Sequence, residues 1–305
     1  MENILTHIGL KVPVISELER ATYKNKHLRV LMLRLDDIHP VISGNKIFKL
    51  YYFLDEALKS SHKKVITFGG AFSNHLAATA LACKKMNLKS IGIVRGERPV
   101  VLSHTLLFCL HHGMHLEFIS RSNFKKINNE EFLKDLKNKY GEHVLIPEGG
   151  FSIMGKEGAA LVTRTFDDSD LTHICLAVGT ATTFAGIIDG IKDHCEVIGV
   201  SALKNMNDIS CRLHALKVNS SKKYDYIEGY HFGGYAKKTG ELISFMNQFY
   251  LQYRIPLDFV YTAKMMFGVN DLVEKNYFPP GSRILCIHTG GLQGNQSLPK
   301  GMLIF

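Results

Sequence analysis

The chain has 305 residues, 46% of them hydrophobic and 21% charged, with 37 Lys+Arg against 28 Asp+Glu for a net charge of +9. That apolar content is enough for a sizeable core and excludes a disordered or fibrous chain. The basic excess is scattered over short runs such as Lys63-Lys64, Lys125-Lys126 and Lys222-Lys223, which argues against nucleic-acid and membrane partners and suits an anionic ligand.

Apolar runs at 30–35, 65–68, 90–94, 116–119, 144–146, 174–178, 197–200 and 284–287 read as buried strands. Several are near-continuous hydrophobics, as expected where helices cover both faces of a parallel sheet. Helical patterns lie between them at 74–87, 104–112, 129–140, 156–166, 183–192, 240–253 and 263–276. The first is the clearest: Asn74 is a good N-cap, and Leu76, Ala77, Ala80, Leu81 and Met86 form an apolar stripe. The alternation predicts an α/β architecture with right-handed crossovers, one large or two ordinary domains, and no repeats. The six cysteines form no CxxC pair and sit mostly in apolar runs, as free thiols in a reducing compartment do. With an early acid at Glu2 and no apolar stretch of membrane-spanning length, the expectation is a cytoplasmic protein.

Two strands run into turns rich in glycine and hydroxyls: Phe68-Gly69-Gly70-Ala71-Phe72-Ser73-Asn74-His75, and Val178-Gly179-Thr180-Ala181-Thr182-Thr183. Ligands of open α/β sheets bind at such carboxyl ends. The second turn reads either as an anion cradle at a helix N-terminus or as an ordinary threonine-capped turn. Gly150 to Lys156 fits the first part of a P-loop, but Glu157 stands where Ser or Thr would hold magnesium, so a glycine-rich connection is the better reading. His111, His112 and His115 flank Gly113, which breaks a one-face arrangement; no metal site is expected. In Ser43-Gly44-Asn45-Lys46-Ile47-Phe48-Lys49-Leu50 a lysine enters a helix after a Gly-Asn turn, with Lys49 as a neighbouring cation. By spacing alone it is either a solvated helix-start lysine or an amine made nucleophilic by desolvation and a nearby charge.

Taken together in order, Arg34-Leu35-Asp36-Asp37, Ser43-Gly44-Asn45-Lys46 with Lys49-Leu50, Ser73-Asn74-His75, Glu148-Gly149-Gly150, Gly179–Thr183, Gly234-Tyr235, Asp258-Phe259-Val260-Tyr261-Thr262 and His288-Thr289-Gly290-Gly291 resemble the 1-aminocyclopropane-1-carboxylate deaminase/D-cysteine desulfhydrase family. These are pyridoxal-phosphate (PLP) enzymes of the tryptophan-synthase-β-like fold. The resemblance implies two open, mostly parallel-sheet domains, residues 1–49 with 156–305 as the larger and 50–155 as the smaller, with PLP in the cleft between them. It implies that Lys46 forms the internal aldimine and that Asn74 bonds the cofactor's 3-hydroxyl. Ser73 and His75 would surround the substrate carboxylate. Gly179, Thr180, Ala181, Thr182 and Thr183 would hold the phosphate. Tyr235 and Tyr261 would lie near ring and substrate, and Thr262 and Thr289 would face the pyridine nitrogen. A homodimer is implied as well.

Within the resemblance, deaminases have Glu at the position of Thr262 and Gln at that of His75. The residues here are the desulfhydrase-like choices, which favours β-elimination on D-cysteine. Deamination of 1-aminocyclopropane-1-carboxylate, or racemisation or β-replacement on another amino acid, is the alternative. The chain departs from the pattern at Ala181-Thr182, at Ala263, and over Ile38-His39-Pro40-Val41-Ile42.

Overall fold

Among the described residues of this computed structural model (6, 8–40, 42 and 44–305), ten strands form two sheets. In chain order they are β1 Ile15–Glu17, β2 Arg29–Arg34, β3 Lys64–Gly69, β4 Lys89–Arg95, β5 His115–Ile119, β6 Val144–Ile146, β7 His173–Val178, β8 Glu196–Ser201, β9 Tyr224–Ile227 and β10 Arg283–His288. One sheet has the order β1-β2-β10-β7-β8-β9, with only β1 antiparallel; the other has the order β5-β4-β3-β6 and is wholly parallel.

Every predicted run is a strand, with ends shifted by a residue or two. The two strands missed, β1 and β9, are short sheet edges whose residues are half-buried or exposed, so they carry no apolar run to read. The helix expected at 156–166 begins earlier, at Ile153, because the Ser152 hydroxyl accepts from Gly155 N at 3.1 Å; it is α-helical to Ala160 and tightens to a 3-10 turn over Leu161–Thr165.

Alternation along the six-stranded sheet divides its side chains between two cores. Val30, Met32, Cys175, Ala177, Ile284 and Cys286 face helices Gly240–Tyr253 and Thr262–Glu274. Leu31, Leu33, Ile174, Leu176, Leu285 and Ile287 face a cluster that also takes in Val65, Ala78, Leu81 and Ile146 of the four-stranded sheet and its helix. Helix Lys46–Lys59 contributes Ile47, Phe48, Leu50, Phe53 and Leu54 to that shared cluster. The helix therefore stands where the two sheets meet, and its first residue is the lysine singled out by the sequence.

Two glycines let helices pack closely here, Ile153–Ala160 against Lys46–Lys59 and Thr182–Gly190 against Ile153–Ala160. A Cβ on Gly158 would lie 2.3 Å from the Phe48 carbonyl oxygen, and one on Gly186 would lie 2.5 Å from that of Lys156. Lys156, the lysine of the P-loop-like stretch, is buried with its ammonium 2.5 Å from Asp189 and 3.1 Å from the Lys217 carbonyl. It is a structural tie between helices.

Candidate active site

The site is built where β7, β10 and the starts of three helices converge. Gly44 has φ +82, and a Cβ there would fall 1.9 Å from the Thr289 carbonyl oxygen, so glycine alone lets the chain turn against the end of β10. Asn45 N donates to that same carbonyl at 3.2 Å. Ser43 lies outside the described residues. Asn45 is buried and its amide works in two directions: Oδ1 accepts from Lys46 Nζ at 2.6 Å, and Nδ2 donates to Thr183 Oγ1 at 2.6 Å. One side chain thus links the amine of Lys46 to the turn after β7.

Burial lowers the Lys46 ammonium to about 8, against an opposing pull from the Asp258 carboxylate. Its Nζ lies 5.9 Å from the centre of the Tyr261 ring. The sequence reading assigned part of that depression to Lys49. At Lys46 the cause of the drop is desolvation; the repulsion between the two amines appears at Lys49, which burial first and Lys46 second hold well below the ordinary lysine range. Lys49 Nζ donates to the Gly149 carbonyl at 2.6 Å, and a Cβ on Gly149 would lie 2.9 Å from Thr180. A second amine therefore stands close to the hydroxyl-rich turn.

That turn ends β7. Thr180 and Thr182 bring their hydroxyls within 3.2 Å of each other, and Thr182 and Thr183 are buried. Helix Thr182–Gly190 starts here without a side-chain cap, so its first N–H groups are free to meet an anion. Ala181 takes the left-handed conformation, φ +68, which costs a residue with a Cβ more than it costs glycine. A Cβ on Gly179 would lie 3.0 Å from the Tyr261 ring.

The turn after β3 supplies the opposite wall. The Ser73 hydroxyl caps helix Asn74–Lys85 by accepting from Leu76 N at 3.2 Å. Asn74 Oδ1 is buried without a hydrogen-bond partner among the described residues. A Cβ on Gly291 would lie 3.3 Å from both Asn74 Nδ2 and Asp258 Oδ2, which puts the Asn74 amide beside the Thr262 end of the site. His75 is buried against β3. The Thr67 hydroxyl donates its proton to the Ile146 carbonyl at 3.0 Å, so His75 Nε2, 2.9 Å from Thr67 Oγ1, must be the N–H that donates to it. Burial, with Lys49 and Lys46 nearby, pushes the imidazole well below its ordinary range and keeps it neutral, and its bare Nδ1 has no partner among the described residues.

Asp258 anchors the remaining wall. Its fully buried carboxylate accepts from Val260 N at 3.0 Å and Tyr261 N at 2.9 Å on Oδ2, and from Thr262 N and Thr262 Oγ1, each at 2.8 Å, on Oδ1. Thr262 Oγ1 also accepts from Asp258 N at 2.8 Å. The threonine's only proton is therefore engaged by Asp258, and Oγ1 has one lone pair to offer elsewhere. Tyr235 packs edge-on against Tyr261 with ring centres 6.2 Å apart, and burial raises the Tyr261 phenol well above its ordinary 10. Thr289 is buried at the end of β10, where its backbone carbonyl receives the Asn45 N–H described above.

The sequence reading missed Asn45 as a link, Asp258 as an anchor, Thr67 as the partner of His75, and Lys264. The signal for Thr67 was present: it is the one hydroxyl inside the apolar run of β3. Nothing in the sequence separates Lys264 from a surface lysine, yet it is fully buried with its Nζ 2.7 Å from the Gly234 carbonyl.

The profile of the family described as pyridoxal-phosphate dependent enzyme matches residues 13–290. The chain is 30% identical over 305 residues to an Arabidopsis thaliana protein named bifunctional D-cysteine desulfhydrase/1-aminocyclopropane-1-carboxylate deaminase, mitochondrial, covering 87% of this chain and 73% of that one. It is 26% identical over 308 residues to a Klebsiella pneumoniae protein named D-cysteine desulfhydrase, covering 93% and 92% of the two chains. A solved structure of an ACC deaminase homologue matches with a TM-score of 0.78 at 27% identity, over 97% of this chain and 96% of that one.

Proposed function

The chain belongs to the family of pyridoxal-phosphate-dependent enzymes, and from that premise we propose that it is a lyase removing a β-substituent from a small D-amino acid. D-Cysteine is the first substrate, giving pyruvate, hydrogen sulfide and ammonia.

The residues present fit the cofactor. A phosphate meets the uncapped N-terminus of helix Thr182–Gly190, three threonine hydroxyls and the nearby Lys49 amine. Lys46 offers an amine that can join an aldehyde carbon, and the unpartnered amide of Asn74 fits a ring hydroxyl. PLP, when bound, supplies the electron-withdrawing ring that stabilises negative charge at the substrate's Cα.

The chain's own groups do the rest. Lys46, with its ammonium depressed to about 8, is neutral in about half of the molecules near that pH and can take the Cα proton. Asn45 orients the amine, and the start of helix Asn74–Lys85 receives the substrate carboxylate. With the proton on the lysine, the Cα–H electron pair forms the Cα–Cβ double bond and the thiolate leaves. Hydrolysis of the released enamine gives the 2-oxoacid and ammonia.

One observation carries the preference for elimination: position 262 presents a neutral hydroxyl and not a carboxylate, so its side chain brings no charge of its own to hold a pyridine nitrogen protonated. A thiol is an easy leaving group and asks less of the ring than opening a cyclopropane does. The Arabidopsis relative, named for both activities, supports 1-aminocyclopropane-1-carboxylate deamination as the second reading. We place the substrate in the cleft between the sheets, with residues 50–155 as the smaller domain and the whole as a cytoplasmic homodimer.

The test is 2-oxoacid release by the PLP-loaded protein from D-cysteine, L-cysteine and 1-aminocyclopropane-1-carboxylate in parallel, with Lys46→Ala as blank. Pyruvate from D-cysteine alone is expected, and the blank should lose at least about a thousandfold in kcat. 2-Oxobutyrate from the cyclopropane substrate with no pyruvate from D-cysteine would replace the first reading by the second.

A further inference from the structure

Lys264 is a buried amine that the chemistry above leaves without a task. It sits in the first turn of helix Thr262–Glu274, fully enclosed, and no carboxylate among the described residues pairs with it; its Nζ donates to the Gly234 carbonyl at 2.7 Å and to the Ala202 carbonyl at 3.3 Å. Burial lowers it to about 8, opposed by Asp258, whose carboxylate is already filled by its own donors. Enclosing an amine without a counter-ion is expensive, and two backbone acceptors are what make it tolerable here.

Those acceptors locate what the amine holds. Residues 228–239 form neither helix nor strand, and Gly229, Phe232, Gly233, Gly234 and Ala236 all have positive φ. This loop docks along one face of the helix. Phe232 packs edge-on against Phe267 at 4.9 Å, Tyr230 donates to Asp271 at 2.5 Å, and Lys264 takes the Gly234 carbonyl. Of the three contacts, the lysine's is the one next to Tyr235. That tyrosine is 51% exposed and, among the described residues, its side chain has no hydrogen bond beyond its neighbour Tyr261, whose ring stands over Lys46.

We propose that Lys264 is a positioning residue for Tyr235: its ammonium clamps the Gly234 carbonyl to the end of β8 and so fixes the tyrosine against Tyr261 at the mouth of the site. The proposal rests on the reading above in taking Tyr235 as part of the substrate wall. A positively charged clamp suits a backbone of this kind, because the Gly234 carbonyl has no strand partner: the other donor to it is the Lys237 N–H at 3.1 Å, which closes a turn within the loop and does not tie the loop to the rest of the fold.

The test compares wild type with Lys264→Met, which keeps the length of the side chain and removes its donors. Two readouts are taken on the PLP-loaded protein. The first is tryptic cleavage after the exposed Lys237 and Lys238, three and four residues beyond Gly234, with fragments identified by mass. The second is the split between KM and kcat for whichever substrate is turned over, alongside the visible absorbance of bound PLP. We expect cleavage at 237–238 to accelerate about tenfold, KM to rise about tenfold with kcat changed less than about threefold, and PLP absorbance to stay. Unchanged cleavage, or a loss confined to a lower unfolding midpoint with KM intact, would overturn the proposal. If Lys264→Met does not accumulate as folded protein, Lys264→Gln, which keeps a neutral donor, is read in the same way. Turnover of no substrate would count against the enzymatic reading alone, since the cleavage rate still decides whether the clamp exists.

Discussion

Thr262 shows how much a single hydroxyl can be asked to do. It accepts from Asp258 N and donates to Asp258 Oδ1, so it closes a ring at the start of its helix. Replacing it by valine keeps the shape, leaves the buried Asp258 N–H unpaired and takes one donor from a buried carboxylate. Thr262→Val should lose about 1–3 kcal/mol in urea unfolding, whereas Thr262→Ser, which keeps the hydroxyl, should stay within about 1 kcal/mol. Equal losses in the two variants would mean that the methyl group, not the hydroxyl, is what matters. Individual residues also mark the limit of what a sequence discloses. Lys46, Asn74 and the Gly179–Thr183 turn stood out through the family resemblance; spacing alone left both the lysine and the turn open between a chemical and an ordinary reading. Asn45 stood inside the same motif, but its double role depends on Thr183, 138 residues away, and only the fold brings the two together. The Ala181 departure was visible as a letter; that it sits at φ +68 was not.

At the scale of elements, buried strands were legible because the parallel sheets surround them with apolar neighbours on both faces. Edges β1 and β9 were not, because half their surface meets water. Helix Lys46–Lys59 was legible only at its start, while what fixes its position lies in other helices. Gly158 is the clearest case. A methyl there would meet the Phe48 carbonyl at 2.3 Å, a backbone atom that cannot swing aside. Gly158→Ala must push helix Lys46–Lys59 away from helix Ile153–Ala160 and carry Lys46 and Lys49 with it. We expect a loss of about 1–3 kcal/mol in unfolding free energy together with weaker PLP uptake. A variant as stable as wild type, with PLP binding intact, would show that the two helices can separate without moving the site.

For the molecule as a whole, buried ionisable groups set the range of pH in which the cofactor-free fold is stable. His75, His173 and His39 are depressed below their ordinary 6.5, all by burial first. Below that pH the unfolded chain binds protons that the fold refuses, so stability falls as pH falls. Cys83, Cys109 and Cys195 are raised from 9.0 to about 12 by burial, and burial, then Cys286, raises Cys175 well above 9.0. Above 9 the unfolded thiols release protons that the folded ones keep, so stability falls as pH rises. Lys46 and Lys264, lowered from 10.5 to about 8, and Lys49, held well below 10.5 by burial and then by Lys46, act in the opposite sense: the fold sheds protons that the unfolded chain retains up to its ordinary lysine range, which adds stability with rising pH. Three amines rising against four thiols falling put the maximum where the amines have shed their protons and the unfolded thiols have only begun to, near about pH 9, each fully shifted proton contributing about 1.4 kcal/mol per pH unit. Urea unfolding of the PLP-free protein from pH 5 to 11 reads this directly, on the same pH grid for wild type and Lys264→Met. The variant should lose the rise above pH 8 in part and keep the acid limb unchanged, because the histidines are untouched. A maximum below pH 7, or an acid limb that moves with the lysine, would mean that the buried amines and imidazoles do not titrate as independent groups in this fold.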